Sequence, residues 1–315
     1  MSAAGSDGTA IVAALDVGSN TVLMLVADLS AGRVRPLAEL LKITRLGRGV
    51  DRTGMLDAGT ASLTLAAIAE FVDKARALGA QKILTAATAA LRDARNGPEF
   101  IEQVRLRTGV ALEIISGRTE AQLNFLAAVH GLGIDPAQAM LIVDIGGGST
   151  ELIRCESGAA AALVSLQIGS VRLTERFIRH DPPDPAERGQ IYAAVRGQLA
   201  ALGWDNFRPA RVVGVAGTVT TVAAVALGLR TAQHSSVHGR QLTGDQVAET
   251  ARRFFRLTVA QRRQLPGMVE GRADVICAGA AILDCVTEFF GAQGVIVSDQ
   301  GVRWGLIYRE LAGRG

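Results

Sequence analysis

In Leu141-Ile142-Val143-Asp144-Ile145-Gly146-Gly147-Gly148-Ser149-Thr150-Glu151-Leu152 an apolar run ends in an acid, turns through three glycines and a serine, and resumes as a strand with a second acid. Consecutive glycines let the backbone curl so that several N–H groups point into one concavity, a nest for phosphate oxygens. Two carboxylates beside such a nest repel a bare phosphate. A hard divalent cation between acid and phosphate removes the conflict, because Mg²⁺ takes one or two carboxylates together with substrate oxygens. The competing reading is a glycine-rich hairpin turn with incidental acids, since bare glycine motifs are weak evidence.

A second copy favours the first reading. Ile11-Val12-Ala13-Ala14-Leu15-Asp16-Val17-Gly18-Ser19-Asn20-Thr21 has the same plan, and Val22-Leu23-Met24-Leu25-Val26 returns as a strand. Asp16 and Asp144 lie 128 positions apart. That period is too long for a solenoid and suits two related domains facing each other across a cleft. Two phosphate-handling hairpins, one per domain, resemble the plan of the actin-like ATPase superfamily. The expected class is therefore α/β, with two actin-like (ribonuclease H-like) domains flanking a cleft.

A length of 315 residues suits two domains of ordinary size, each able to bury a core. Hydrophobic residues make up 49% and charged ones 20%, an ordinary globular balance, and with aromatics at 4% the core must come from Ala, Val, Leu and Ile. The net charge of +3 allows an acidic ligand without demanding one, and no Lys/Arg block marks a nucleic-acid tail. Cys155, Cys277 and Cys285 show no Cys-x-x-Cys spacing, so neither a disulfide framework nor a zinc site is expected, and a reducing cytoplasm fits. Met1–Ala10 lacks the basic-then-apolar pattern of a signal peptide. Val212–Leu229 is uncharged but broken by Gly214, Gly217 and Gly228, which fits a strand, a glycine turn and a helix rather than a bilayer crossing.

Strands are expected over 34–44, 82–86, 112–115, 161–167 and 295–297, with a loop at 47–51 and another at 88–96 leading into a helix over 97–108. Leu63, Ala67, Phe71, Ala75 and Leu78 recur at helical spacing before Gly79. A helix follows Ser116, with Leu123, Leu126 and Ala127 on its buried face, and Pro185 after Asp184 starts another. Two helical segments precede Pro266, a third runs 272–290, and 300–311 closes the chain. The alternation implies a largely parallel sheet with hairpin edges in each domain, and ligands at the carboxyl ends of the strands. The domains are expected at 1–125 and 126–315, with the last helix (about 300–315) leaning back on the first and Gly301 as a hinge. Val212-Val213-Gly214-Val215-Ala216-Gly217-Thr218 is a further passage of strand, glycine turn and helix, whose N–H groups and positive helix end suit phosphate unless it is simply a tight turn.

Taken together, Asp16–Thr21, Thr88–Arg92, Ser116-Gly117-Arg118-Thr119-Glu120-Ala121, Asp144–Glu151, Gly214–Thr218, Arg272-Ala273-Asp274 and Ser298–Arg303 resemble the exopolyphosphatase / guanosine pentaphosphate phosphohydrolase family in its short form, over nearly the whole chain. The resemblance implies Glu120 as the catalytic glutamate. It implies Asp144 and Glu151 as magnesium-linked acids with Asp16 facing them, Mn²⁺ being the substitute. Phosphate loops map to Ser19, Asn20 and Thr21 and to Gly146, Gly147, Gly148 and Ser149; Arg92 and Arg272 match positions that grip the polyanion, beside Gly217 and Thr218. Thr119 stands where the family carries another acid, and Trp304 where an acid is common. The resemblance also suggests a homodimer acting on inorganic polyphosphate or guanosine pentaphosphate, with no nucleic acid or membrane partner.

A terminal phosphoryl group needs its oxygens neutralised and a water placed in line with the departing oxygen. Glu120 suits the base, and as a first-turn acid it is expected to be exposed; its alternative is an acid favoured only by the helix dipole. Arg92 has the alternative of pairing with Asp93 or a helix end. His234 and His238 are spaced i, i+4 with no acid to complete a metal set, and His130 reads as a helix-surface or interface residue. An actin-fold small-molecule kinase and a catalytically silent polyphosphate sensor are the competing functions.

Overall fold

Ile11–Val17 (β1) is apolar almost throughout because both of its faces are covered. Ala13, Leu15 and Val17 enter one core while Val12 and Ala14 are buried on the opposite face, as the two-residue period of a strand dictates. The structure, a computed structural model, describes residues 10–157, 159–230 and 234–314. The reading that Met1–Ala10 lacks a signal-peptide pattern falls, but for its last residue, outside them.

Thr21–Asp28 (β2) and Arg35–Ile43 (β3) continue as an antiparallel meander, and Val50–Thr53 forms a short helix (α1) that overlaps the end of the loop expected at 47–51. Ala58–Ala77 (α2) starts where the Asp57 carboxylate accepts from the Thr60 amide at 3.0 Å, and leads through Gly79 (φ +85°) to Lys82–Ala87 (β4), parallel to β1. The expected loop at 88–96 contains a helix, Ala89–Asp93 (α3), before Gly97–Thr108 (α4). The expected strand at 112–115 is a single bridge, Ala87 to Ile114. The Thr85 hydroxyl takes over ladder positions there, donating to the Ala111 carbonyl and accepting from the Glu113 amide, each at 3.0 Å. The sheet order is β3-β2-β1-β4.

The second unit opens with Gly117–Leu132 (α5), capped by Ser116 and stopped by Gly133 in the left-handed region. Met140–Ile145 (β5), Thr150–Glu156 (β6) and Ala159–Leu166 (β7) repeat the meander. Ser170–Phe177 (α6) and Pro185–Ala200 (α7), the latter with an Asp184–Glu187 capping box, lead to Arg211–Val215 (β8), parallel to β5. Ala216–Ala226 (α8), His234–Val237 (α9), Gln241–Thr243 (β9), Gly244–Arg256 (α10), Val259–Arg263 (α11), Ile276–Phe289 (α12) and Gly294–Val297 (β10) complete it, in a sheet ordered β7-β6-β5-β8-β10-β9.

The first four strands of each sheet share one order and one set of directions, so the sequence repeat is a structural repeat of the actin-like fold. The sheets are mixed rather than largely parallel, because each meander contributes two antiparallel pairs before the first crossover. The compact units are residues 1–115 with 302–315, and residues 116–301. The junction at 115/116 precedes the expected 125/126, since the whole of α5 packs on β5, β6 and β7. Val302–Ala312 (α13) packs on β1, β2 and β4 of the first unit, where Arg303 pairs with Glu39 and Lys82 with Glu310.

Candidate active site

Strand parity places the acids of the second unit. Leu141, Val143 and Ile145 of β5 enter the large core, whereas Met140 and Ile142 pack in the smaller cluster that includes Ala121 and Ala128 of α5. Asp144 shares the parity of Met140 and Ile142 and therefore lies on the α5 side. Glu151 is paired with Asp144 across β5 and β6 and shares the parity of Ile153 and Cys155; Ser165 is paired with Glu151 across β6 and β7. Glu120 and Asn124, one helical turn apart on α5, come down on the same face.

The result is a cluster in which Glu120, Asp144 and Glu151 each bring a carboxylate oxygen within 4.8 Å of the others. Their exposures are 7%, 7% and 1%, so Glu120 is buried and not the exposed acid expected of a first turn. The sheet, not the helix dipole, decides its environment. The amide of Asn124 donates to Oδ2 of Asp144, and the Ser165 hydroxyl donates to Oε1 of Glu151 at 2.7 Å. Burial pushes the Asp144 carboxyl up to about 6, against the lowering pull of the Asn124 hydrogen bond. Thr119, where the resemblance implies an acid, belongs to the cap, its amide donating to Ser116 Oγ at 3.0 Å.

The glycine loop is bound from behind. The Gly146 carbonyl accepts from the Ser170 amide, the Gly147 carbonyl from Val171 and Arg172, and the Gly148 carbonyl from Arg172 Nε at 2.7 Å. Gly169 permits this closeness: a Cβ there would stand 2.3 Å from the Gly147 carbonyl oxygen. With its acceptors occupied, the loop has donors to offer an anion. Buried Ser149 closes the turn by accepting from the Gly146 amide at 3.0 Å.

At the second passage, β8 runs into α8 directly, without the expected glycine turn. Ala216 takes a positive φ of +68°, and Gly214 lies within the strand, where a Cβ would meet Val219 and Val295 side chains at 2.6 and 2.9 Å. Gly217 sits in the first turn of α8 beneath the Arg272 guanidinium, which a Cβ would approach to 2.0 Å. Arg272 is 6% exposed, and desolvation lowers it to about 10, which leaves it cationic at neutral pH. A buried cation against the positive end of a helix is a poor arrangement until an anion lies between them. Thr218 is buried beside Gly279.

In the first unit, Gly18 donates to the Thr21 carbonyl at 2.9 Å, and Ser19 and Asn20 are buried because residues 44–47 fold onto their carbonyls. Both polar atoms of the Asn20 amide are buried and without a protein partner. Asp16, at the end of β1, is half-buried, and Leu23 occupies the position across the hairpin that Glu151 holds in the second unit. Arg92 is half-buried and donates to the Ile115 carbonyl at 2.9 Å.

Two other groupings have structural explanations. His180, Asp184 and Glu187 also converge, but the Glu187 carboxylate accepts from the Arg179, His180 and Asp184 amides as a helix cap. The side chain of His234 lies outside the described residues; the His238 ring lies 3.0 Å from Asp299 Oδ1 and 3.1 Å from the Gly131 carbonyl. His130 is exposed. Asn124 and Ser165 were not singled out by motif, although i+4 spacing from Glu120 and the parity of Leu163 place them on the site's face.

The profile of the Ppx/GppA phosphatase family matches residues 25–313. The exopolyphosphatase 2 of Mycobacterium tuberculosis is 36% identical over 317 residues, spanning 96% of this chain and 98% of that one. Among solved structures, the Ppx/GppA family member of Aquifex aeolicus is similar at a TM-score of 0.82 and 30% identity, covering 97% of this chain and 99% of the other. An exopolyphosphatase-like protein of known crystal structure is similar at a TM-score of 0.89 and 29% identity, covering 96% and 98%.

Proposed function

Since the chain belongs to the Ppx/GppA phosphatase family, we propose that it is a divalent-metal-dependent exopolyphosphatase that releases terminal orthophosphate from inorganic polyphosphate. The observation that carries this reading is the buried cluster of Glu120, Asp144 and Glu151, on the same unit as the glycine loop. Three buried carboxylates within 4.8 Å repel one another unless protons or a cation intervene. The donor set fits a hard cation: it consists of oxygens, and beside it Asn124 Oδ1 is a buried acceptor without a donor, suited to a water that such a cation carries.

Asp144 and Glu151 are the ligands in this reading, and Asp16 is the acid at the matching strand position of the first unit. Mg²⁺ is the expected ion and Mn²⁺ its substitute; when bound it neutralises charge on the phosphoryl oxygens. Gly146, Gly147, Gly148 and Ser149, with Arg272, Gly217 and Thr218, hold phosphate in the second unit. Ser19, Asn20, Thr21 and Arg92 do so in the first, where the unpartnered Asn20 amide suits a polar ligand. Glu120 orients a water and takes its proton as the water oxygen attacks the terminal phosphorus, while the bridging P–O bond breaks and the shortened chain leaves.

The test is phosphate release from short polyphosphate, long polyphosphate and guanosine pentaphosphate, with and without Mg²⁺. Release from polyphosphate that needs metal supports the proposal. A clear preference for guanosine pentaphosphate redirects it, ADP formation with a small acceptor revives a kinase, and binding without release marks a sensor. A homodimer in the cytoplasm is the accompanying expectation, checked by light scattering and cell fractionation.

A further inference from the structure

Two polar side chains hold the carboxylates of the cluster from outside it. Asn124 is wholly buried, and its NH₂ must face Asp144, because the reverse orientation would set an amide oxygen against a carboxylate. Helix formation does not ask for asparagine at this position. It is a poor residue for a helix interior, and burying its amide costs more than burying a leucine of similar size. The neighbouring buried positions of α5, Ala121, Leu123, Ala127 and Ala128, are apolar. Ser165 reaches Glu151 because position 117 is glycine: a Cβ there would stand 2.8 Å from the Ser165 Cβ and 3.2 Å from its Oγ.

Asp144 and Glu151 are direct cross-strand neighbours, and like charges in that relation push apart. A donor fixed on one oxygen of each carboxylate opposes that rotation and determines where the other oxygen points. We infer that Asn124 and Ser165 are positioning residues that aim the carboxylates of Asp144 and Glu151 at a shared divalent cation. Asn124 acts on one ligand and Ser165 on the other, from separate elements. The inference rests on the cluster being a cation site, and the test separates the two claims.

The probe is Mn²⁺ alone, titrated into metal-free protein by calorimetry and by the paramagnetic resonance of free Mn²⁺, with no substrate and no turnover. Wild type should bind Mn²⁺, and Asp144→Asn should lose it; a wild type that takes up no Mn²⁺ ends the cation reading and this inference with it. If wild type binds, Asn124→Leu and Ser165→Ala should each weaken Mn²⁺ binding by about 10–100-fold, the usual effect of removing a hydrogen bond to a metal ligand. Their melting temperatures in chelator should stay near that of wild type. Should Asn124→Leu fail to fold, Ser165→Ala and Asn124→Ser carry the measurement. Folded variants that bind Mn²⁺ within twofold of wild type overturn the inference, since a merely structural role would leave metal affinity in place.

Discussion

Glu120 is a first-turn acid whose environment is that of a core residue, so its substitution should separate chemistry from stability. Glu120→Gln keeps size and hydrogen-bonding capacity but cannot take a proton from water. Phosphate release should fall by roughly 10²–10⁴ in kcat, with KM unchanged or lower because one negative charge near a polyanion is gone. Metal-free Glu120→Gln should melt at or above wild type, since one of three mutually repelling buried carboxylates has been removed. Preserved kcat with a raised KM would assign Glu120 to binding instead. Asp144 adds a pH dependence to the metal-free protein. Its carboxyl is raised from 3.8 to about 6 in the fold, so below pH 4 it is protonated in both states. Between about pH 4 and 6 only the unfolded chain has released the proton, so stability falls as pH rises. Urea unfolding in chelator should show that decline, and Asp144→Asn should flatten it.

At the β8–α8 junction the proposed phosphate contact needs no glycine-rich turn. A Cβ on Gly217 would collide with the far end of a flexible side chain, the Arg272 guanidinium, which can swing away at little cost to folding. Gly217→Ala should therefore raise KM for polyphosphate by roughly 10–100-fold, the worth of a lost charge-assisted hydrogen bond, while the melting temperature moves little. Equal KM in the variant would return the junction to a purely structural role. Gly169 provides the contrast, because a Cβ there meets backbone that cannot yield, and Gly169→Ala should disturb the whole glycine loop. The turns show how far local pattern reaches. Ser116 and Asp184 cap helices where short polar residues precede apolar periodicity, and these starts were legible; the Asp57 cap was not singled out. The strand expected at 112–115 was not realised, because a threonine side chain on β4 took the ladder's place, and no local pattern announces that.

For the whole molecule, chelation should stop phosphate release and added Mg²⁺ should restore it; full turnover in excess chelator would remove the cation from the reaction. Deleting residues 302–315 should unfold the first unit selectively. Val302, Trp304, Leu306 and Ile307 are buried in the helix that packs on β1, β2 and β4, and burying each such side chain contributes about 1.5–3 kcal/mol. Limited proteolysis of the truncated chain should then digest residues 10–115 while 116–301 stays protected, and uniform resistance would refute the assignment of α13 to that unit. The duplicated hairpin, the two-unit plan and the family were determined by the sequence alone, because apolar period and glycine runs are local properties of the chain. Tertiary structure alone decided that Glu120 is buried, that Asn124 and Ser165 hold the carboxylates, and that Arg272 lies over Gly217. Those facts depend on which strand faces which helix across a sheet, a matter of side-chain parity and packing between segments far apart in the chain.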